Sequence, residues 1–234
     1  MLSLRKHKIS RLEEFSDAVF GFALTLLVLS GTVPRSYEQL MDLLKGLPAF
    51  ACSFALLVWI WHEHAALFER YPLTDGRTTL LNSVLLFVVL VYVYPLKFMF
   101  ESFMGRFGLG PQTAAVAPMR PHELANASIL YGLGFFVLTG LFALMYLNAW
   151  RQRVPLELSA LEAFDARSHA RYHLVSASVG LFAMLVAVLI PLPLAFLSPS
   201  SFALLGPLHA INGWRTGRKR AEFLSGLTPE TQVL

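Results

Sequence analysis

The chain has 234 residues, of which 56% are hydrophobic and 15% are charged, and its formal charge is +4. Soluble domains carry roughly 25% charged residues, so this chain has too few charges to cover a water-facing surface. The composition therefore excludes a soluble enzyme and a disordered chain, and the single Cys52 excludes a disulfide-stapled module. The basic residues are spread over separate loops, a pattern that does not favour nucleic-acid binding.

Apolar blocks long enough to cross a bilayer recur along the chain. A transmembrane helix needs about 20 mostly apolar residues, and no block shows the period of two that a lipid-facing barrel requires. The sequence predicts an all-α integral membrane protein with one domain. Its six predicted transmembrane helices cover residues 15–33, 43–61, 78–100, 126–150, 172–190 and 192–211.

The sixth block is interrupted by Pro191, Pro193, Pro199 and Pro207. Proline removes a backbone donor and breaks a helix unless neighbouring groups compensate. We expect a tight hairpin at the first two prolines followed by a kinked last helix, and a re-entrant segment is the alternative.

The first block has the basic start of a signal peptide, but Asp17 at its beginning and the five blocks that follow argue against cleavage.

The distribution of Lys and Arg predicts the orientation, because these residues concentrate in cytoplasmic loops. If the odd-numbered helices run outward, 14 of the 19 basic residues lie on the inner side and 5 on the outer side. This count favours six helices with both termini in the cytoplasm. The inner loop over residues 151–171 is expected to form a short amphipathic helix at the interface.

Polar residues at the inner ends of helices one to three fall at one membrane depth. Asp17 lies near the start of helix one, His64 follows helix two, and Asn82 lies one turn into helix three. A carboxylate inside a span usually faces the protein interior and has a partner. We therefore predict a structural polar network, and the alternative is that Asp17 only caps the helix start. The predicted members are Arg11, Phe15, Ser16, Asp17, Trp61, His64 and Asn82.

These positions form a motif with fixed spacing: Arg11-x-x-x-Phe15-Ser16-Asp17, then Trp61-x-x-His64-x-x-x-Phe68, then Asn82. The motif resembles that of the transmembrane-protein-175-like potassium channels of bacteria, archaea and animal endolysosomal membranes. The resemblance covers helices one to three, whereas helices four to six match in number and hydrophobicity alone. It implies a six-helix subunit that forms a homotetramer. Helix one of each subunit would line a pore that passes K⁺ passively, with modest selectivity over Na⁺.

Helix one also carries an apolar stripe at helical spacing, formed by Phe15, Val19, Phe22, Leu26, Leu29 and Val33. In the family that the motif resembles, the matching stripe faces the pore. Carried over by position, Phe22, Leu26 and Leu29 form the constriction, with Thr25 as a polar residue beside it. Large apolar side chains in a ring can gate conduction by dewetting. Without the resemblance, such a stripe indicates ordinary packing or lipid contact.

Three features depart from the family or from other potassium channels. Phe22 stands where the family typically has Ile or Leu, so we expect its ring to narrow or plug the pore. Ser30 and Gly31 stand where the family often has an acidic and an aliphatic residue, which argues against ion attraction at the outer mouth. The Thr-Val-Gly-Tyr-Gly filter is absent, which excludes high selectivity by that route.

No motif in the chain predicts a catalytic or metal site. His62 and His64 are two residues apart and do not face one site on a helix, and His169 and His173 lack a third ligand nearby. We therefore predict no enzyme activity and no cofactor, with K⁺ as permeant ion. The expected partners are further copies of the chain and the lipid bilayer, in a prokaryotic cell membrane. The alternatives are a secondary transporter, which the discontinuous sixth helix favours, and a membrane assembly protein without transport.

Overall fold

The computed structural model describes residues 10–29, 33–105 and 119–225. Every regular element within these ranges is helical, which confirms the predicted all-α class for the described part of the chain. The α-helices are α1 (Arg11–Leu29), α2 (Tyr37–Lys45), α3 (Leu47–Arg70), α4 (Gly76–Gly105), α5 (Pro121–Arg151), α6 (Ala160–Leu189), α7 (Leu197–Ser200) and α8 (Leu205–Ser225). Two 3-10 turns, Leu192–Leu194 and Ser201–Leu204, flank α7. The chain divides into two compact units, Met1–Glu123 and Leu124–Leu234.

Five stretches of the described residues are long and apolar enough to cross a membrane: α3, α4, α5, α6 and residues 192–225. Helix α1 does not qualify on its own, because its first two turns carry Arg11, Glu13, Glu14 and Asp17. Its apolar part is then shorter than the roughly 20 residues that a span needs. Residues 30–32 of the predicted first span lie outside the described residues.

Capping side chains determine where the helices of the first unit begin. At α1, the backbone N–H and hydroxyl of Ser10 donate to Glu13 Oε1 at 3.2 and 2.8 Å, and the Glu13 N–H donates back to Ser10 Oγ at 3.3 Å. This reciprocal pair is a capping box. At α4, Asp75 Oδ2 accepts from the backbone N–H groups of Arg77 and Thr78 at 3.2 and 3.4 Å. Both helices therefore start at defined residues.

Helices α1, α3 and α4 pack against one another, and α2 packs on α3. Helix α1 buries Ser16, Phe20, Ala23 and Leu27, which follow one another at steps of four, three and four residues. That spacing places all four on one face of the helix. Helix α4 continues through Pro95, which removes one helical hydrogen bond to the carbonyl of residue 91.

In the second unit, two glycines bring α5 and α6 into close contact. A Cβ atom on Gly132 would lie 2.9 Å from the carbonyl oxygen of Gly180, and one on Gly180 would lie 2.9 Å from the carbonyl oxygen of Gly132. Small residues of this kind permit close approach of helix backbones in membranes. Ring stacking adds to the contact, since Phe142 lies over His173 with centroids 5.1 Å apart.

Helix α8 folds back on α6 in the same unit. The Oγ of Ser176 lies 2.9 Å from His209 Nε2, and the rings of Tyr172 and His209 are 4.0 Å apart. Further along, Arg220 Nε lies 3.2 Å from Asp165 Oδ1. These contacts fix the last helix along much of its length, although none of its residues is buried.

The helix bounds differ from the predicted ones at several ends. The predicted interfacial helix over residues 151–171 is wrong, because these residues form the last residue of α5, a short turn and the first three turns of α6. The capping box between Ser159 and Glu162 starts α6 well before its apolar part. Helix α2 lies outside the predicted helices, because nine residues are too few to form an apolar block.

The predicted break after helix five is confirmed, since α6 ends at Leu189 and a 3-10 turn follows at Leu192–Leu194. The kinked sixth helix over residues 192–211 needs correction. The stretch consists of two 3-10 turns and a four-residue helix before α8, which then continues to Ser225. Apolar length alone did not indicate this continuation, because the last turns of α8 are basic and polar.

Candidate functional site on the first helix

Four polar side chains and one indole join α1, α3 and α4. The Nε1–H of Trp61 on α3 donates to Asp17 Oδ1 on α1 at 2.8 Å. The Nε2 of His64 lies 2.7 Å from Asn82 Oδ1, and Asn82 Nδ2 donates to Ser16 Oγ at 2.8 Å. Three helices are thus connected by hydrogen bonds between residues far apart in sequence.

The buried part of this network satisfies its donors and acceptors. Ser16, His64 and Asn82 are almost fully buried, and the Ser16 hydroxyl donates to the Leu12 carbonyl at 2.7 Å. Because the Asn82 amide nitrogen donates to Ser16, its carbonyl oxygen must accept from His64. The Nε2 atom of His64 therefore carries the proton in this arrangement. Unpaired polar groups at these positions would be costly, so the network specifies how the helices pack.

Two aromatic rings enclose His64. The Phe20 ring centroid lies 5.4 Å from that of His64, and the Phe68 centroid lies 4.7 Å from it. Phe68 belongs to the sequence motif, whereas Phe20 lies outside it. Its position four residues after Ser16 is the signal that could have placed it at the site, since residues at that spacing share a helix face.

The structure does not bring all predicted members into the network. Arg11 and Phe15 are exposed, Phe15 to 60%, and neither takes part in the hydrogen bonds that join the three helices. Asp17 is itself exposed at the edge of the network. The alternative in which Asp17 only caps α1 is wrong, because Ser10 caps the helix and Asp17 lies in its second turn bonded to Trp61.

The opposite side of α1 is an exposed, mostly apolar face. Phe22 is 56% and Leu29 is 70% exposed, Thr25 is exposed between them, and Leu26 is half-buried. The Thr25 hydroxyl donates to the carbonyl of Gly21 at 2.9 Å. Contiguous exposed apolar surface on one helix face marks a site covered by lipid or by another protein surface. We call Phe22, Thr25, Leu26 and Leu29 the α1 face.

Neither the His62 and His64 pair nor the His169 and His173 pair forms a metal site in the structure. His64 is bonded to Asn82, whereas His62 is exposed. The Nδ1 of His169 lies 2.8 Å from the carbonyl of Asp165, and its ring stacks on Tyr146. Among the described residues, no group of three or more His, Cys, Asp or Glu side chains could hold a metal ion.

The apolar spans and the network together define an α-helical integral membrane protein. Residues 11–92, which contain the whole network, match the family described as the endosomal/lysosomal potassium channel TMEM175. A potassium channel of Marivirga tractuosa is 36% identical over 230 residues, which cover 95% of this chain and 93% of that protein. A potassium channel of Chamaesiphon minutus is 33% identical over 99 residues, which cover 39% of this chain and 49% of that protein.

Two solved structures have a similar fold. A variant of the potassium channel MtTMEM175, solved with a nanobody–MBP fusion, superposes with a TM-score of 0.82 at 35% identity and covers 92% of this chain and 97% of that chain. The lysosomal potassium-selective channel TMEM175 homologue of Chamaesiphon minutus gives a TM-score of 0.55 at 21% identity, over 88% of this chain and 96% of that chain. The second similarity concerns the fold alone.

The chain belongs to the TMEM175 family, as the motif predicts. The prediction that it is not an enzyme is confirmed by its membership, because this is a family of channels.

Proposed function

We propose that this chain is a subunit of a potassium channel that passes K⁺ passively, with modest selectivity over Na⁺. The relative from Marivirga tractuosa, which aligns over 95% of this chain, is named a potassium channel. The absence of a Thr-Val-Gly-Tyr-Gly filter from the sequence is consistent with modest rather than high selectivity.

The proposal rests on the difference between the two sides of α1, one buried and one exposed. One side is buried along Ser16, Phe20, Ala23 and Leu27 and is tied down by the polar network. On the other side, the α1 face, the described residues leave Phe22, Thr25 and Leu29 exposed. A helix that is fixed on one side by hydrogen bonds and exposed on the other is suited to line a symmetry axis between several copies of the chain. The constriction would be formed by Phe22, Leu26 and Leu29, with Thr25 beside it.

The pore would lie between subunits rather than inside one. The described spans carry few charged side chains, and a single chain of this kind has little polar surface with which to line a wet channel. Four copies around one axis, the number that the family resemblance implies, would bring four α1 faces together. In this arrangement α1 is the sixth span, both termini are cytoplasmic, and the host membrane is a prokaryotic cell membrane.

Ion flux through the purified protein in liposomes tests the proposal. K⁺ efflux and Na⁺ efflux are measured for the wild type and for Leu26→Asn and Leu29→Ala, with Leu185→Ala as matched control. Leu185 is an exposed residue on α6, 48% accessible, outside the α1 face. We expect at least a several-fold change in K⁺ flux for both α1 variants, because widening or wetting a hydrophobic constriction changes its barrier. The control should conduct like the wild type.

Unchanged flux in both α1 variants, with the oligomer intact by size-exclusion chromatography, would overturn the constriction assignment. Saturable K⁺ movement strictly coupled to protons would instead identify a transporter. An oligomer without ion flux would favour the assembly protein.

A further inference from the structure

Trp150, at the end of α5, has two guanidinium groups beside its ring. The Cζ atom of Arg153 lies 4.7 Å from the ring centroid, and that of Arg167 on α6 lies 5.3 Å from it. Both distances fall in the cation–π range. The two guanidinium carbons are therefore no more than about 10 Å apart.

These two cations have no carboxylate partner within the described part of the chain. Two nearby acids are engaged elsewhere: Asp165 bonds Arg220 at 3.2 Å, and Glu162 accepts from the Ser159 N–H at 2.7 Å in the α6 capping box. Arg153 donates to the Trp150 carbonyl at 3.2 Å, a neutral acceptor that does not cancel its charge. Two like charges within about 10 Å of each other repel, and an anion close to both would relieve the repulsion.

A third guanidinium extends the group along α6. Arg171 follows Arg167 by four residues, about 6 Å further along the same helix face. Its Nη2 donates to Ser168 Oγ at 3.3 Å, but its Nε–H is buried without a hydrogen-bond partner. A buried donor without a partner is unfavourable. Because this N–H is inaccessible from the surface, Arg171 adds its positive charge to the group rather than that hydrogen bond.

We infer that Trp150, Arg153, Arg167 and Arg171, here called the Trp150 cluster, bind the phosphate of an anionic phospholipid. Guanidinium groups match the geometry of phosphate oxygens and bind them with paired hydrogen bonds. The cluster lies where the apolar span α5 ends and α6 begins, and Trp is enriched at membrane–water interfaces.

A lipid fits the surroundings of the cluster better than a free phosphate does. Val154, in the turn beside Arg153, is 77% exposed, and Pro155 next to it is also exposed. Apolar side chains at this position can contact acyl chains while the guanidinium groups hold the headgroup. Basic groups at the ends of membrane helices are known to recognise anionic headgroups in this way. The inference does not depend on ion conduction.

Native mass spectrometry of the purified oligomer tests the site. The protein is equilibrated in detergent with equal amounts of phosphatidylglycerol and phosphatidylcholine, and the retained lipids are counted per subunit. We expect the wild type to prefer phosphatidylglycerol about tenfold, and the double variant Arg153→Gln, Arg167→Gln to lose most of that preference. The matched control removes two exposed charges from α8 by Arg215→Gln and Lys219→Gln, and should stay within about twofold of the wild type.

Retention of the preference in the Arg153 and Arg167 variant, or an equal loss in the α8 control, would overturn the inference. If the glutamine variant fails to fold, Arg153→Lys with Arg167→Lys decides, since it keeps the charges without the planar groups. A partial loss in the lysine variant supports the cluster, and an unchanged preference contradicts it. Glycerol phosphate at millimolar concentration should not displace the lipid, and displacement would indicate a site for a soluble phosphate instead.

Discussion

The two units of the chain hold their helices together by different means. In the first unit, α1, α3 and α4 are joined by directional hydrogen bonds through Asp17, Trp61 and Asn82. In the second, α5 and α6 meet through Gly132 and Gly180, with rings stacked nearby. Helices in lipid associate through polar bonds or close packing of small residues. We therefore expect the stability of the first unit to depend on hydrogen-bonding groups, and the stability of the second to depend on side-chain size.

Gly132→Leu should lower the free energy of unfolding more than any other substitution considered below. A Cβ here would lie 2.5 Å from Met184 Cγ and 2.9 Å from the Gly180 carbonyl oxygen, and the second of these is backbone that cannot move aside. We expect a loss of about 3 kcal/mol or failure to fold, at the upper end for overpacked sites. Unfolding in detergent, followed by circular dichroism, measures the loss.

Gly140→Ala is the matched control, since a Cβ at this position on the same helix meets nothing within 4 Å. It should be neutral or stabilise the helix by up to about 1 kcal/mol, because alanine favours helix more than glycine does. If both variants destabilise alike, close backbone approach is not what holds the second unit.

Asn82→Leu should cause the second-largest loss in the free energy of unfolding. It removes the hydrogen-bond partner of buried His64 and the donor to Ser16 Oγ, at a cost of about 1–3 kcal/mol. Ser83→Ala, one residue along, removes an exposed hydroxyl that bonds its own helix, and should have little effect on the free energy of unfolding. Adding His64→Leu to Asn82→Leu should recover part of the loss, because an apolar pair leaves fewer unsatisfied groups. A further loss instead of recovery would indicate that packing around His64 matters more than its hydrogen bond.

Trp61→Phe should have a smaller effect on stability. It removes the N–H that donates to Asp17 while keeping most of the ring, at a partly exposed position. We expect a cost of about 1 kcal/mol, measured by the same unfolding assay. Trp59→Phe, two residues earlier and similarly exposed, is the control. Equal effects of the two substitutions would show that the bond to Asp17 contributes nothing.

Arg220→Gln should have the smallest effect. Its ion pair with Asp165 is partly exposed, with side-chain accessibilities of 44% and 25%. Pairs of this kind contribute about 0–1 kcal/mol and are screened by salt. The difference from the wild type should shrink between low and high salt, and a difference that persists at high salt would point to lost packing of the arginine stem instead.

The sequence alone could predict the features that depend on hydrophobic length and membrane depth. The apolar blocks indicate the spans because hydrocarbon thickness sets a minimum length. Asp17, Trp61, His64 and Asn82 could be grouped because alternating helix direction places them at one depth. In the structure, Trp61 bonds Asp17 and His64 bonds Asn82.

Features that depend on short-range geometry could not be predicted in the same way. The capping box at Ser159 starts α6 in a polar stretch that a search for apolar length passes over. The contact between Ser176 and His209 depends on how the turns over residues 190–204 fold α8 back. The motif groups Phe15 with the network, but the rotation of α1 leaves its side chain exposed.

The hydrogen bond from the Thr25 hydroxyl to its own helix determines which groups this side chain can bind on the α1 face. A hydroxyl has a single proton, and here it is committed to the Gly21 carbonyl. What the side chain presents outward is then oxygen lone-pair density without a donor. In the pore proposed above, this oxygen would favour a partly dehydrated cation and would offer an anion no hydrogen-bond donor. One neutral residue would then contribute to the discrimination between cations and anions.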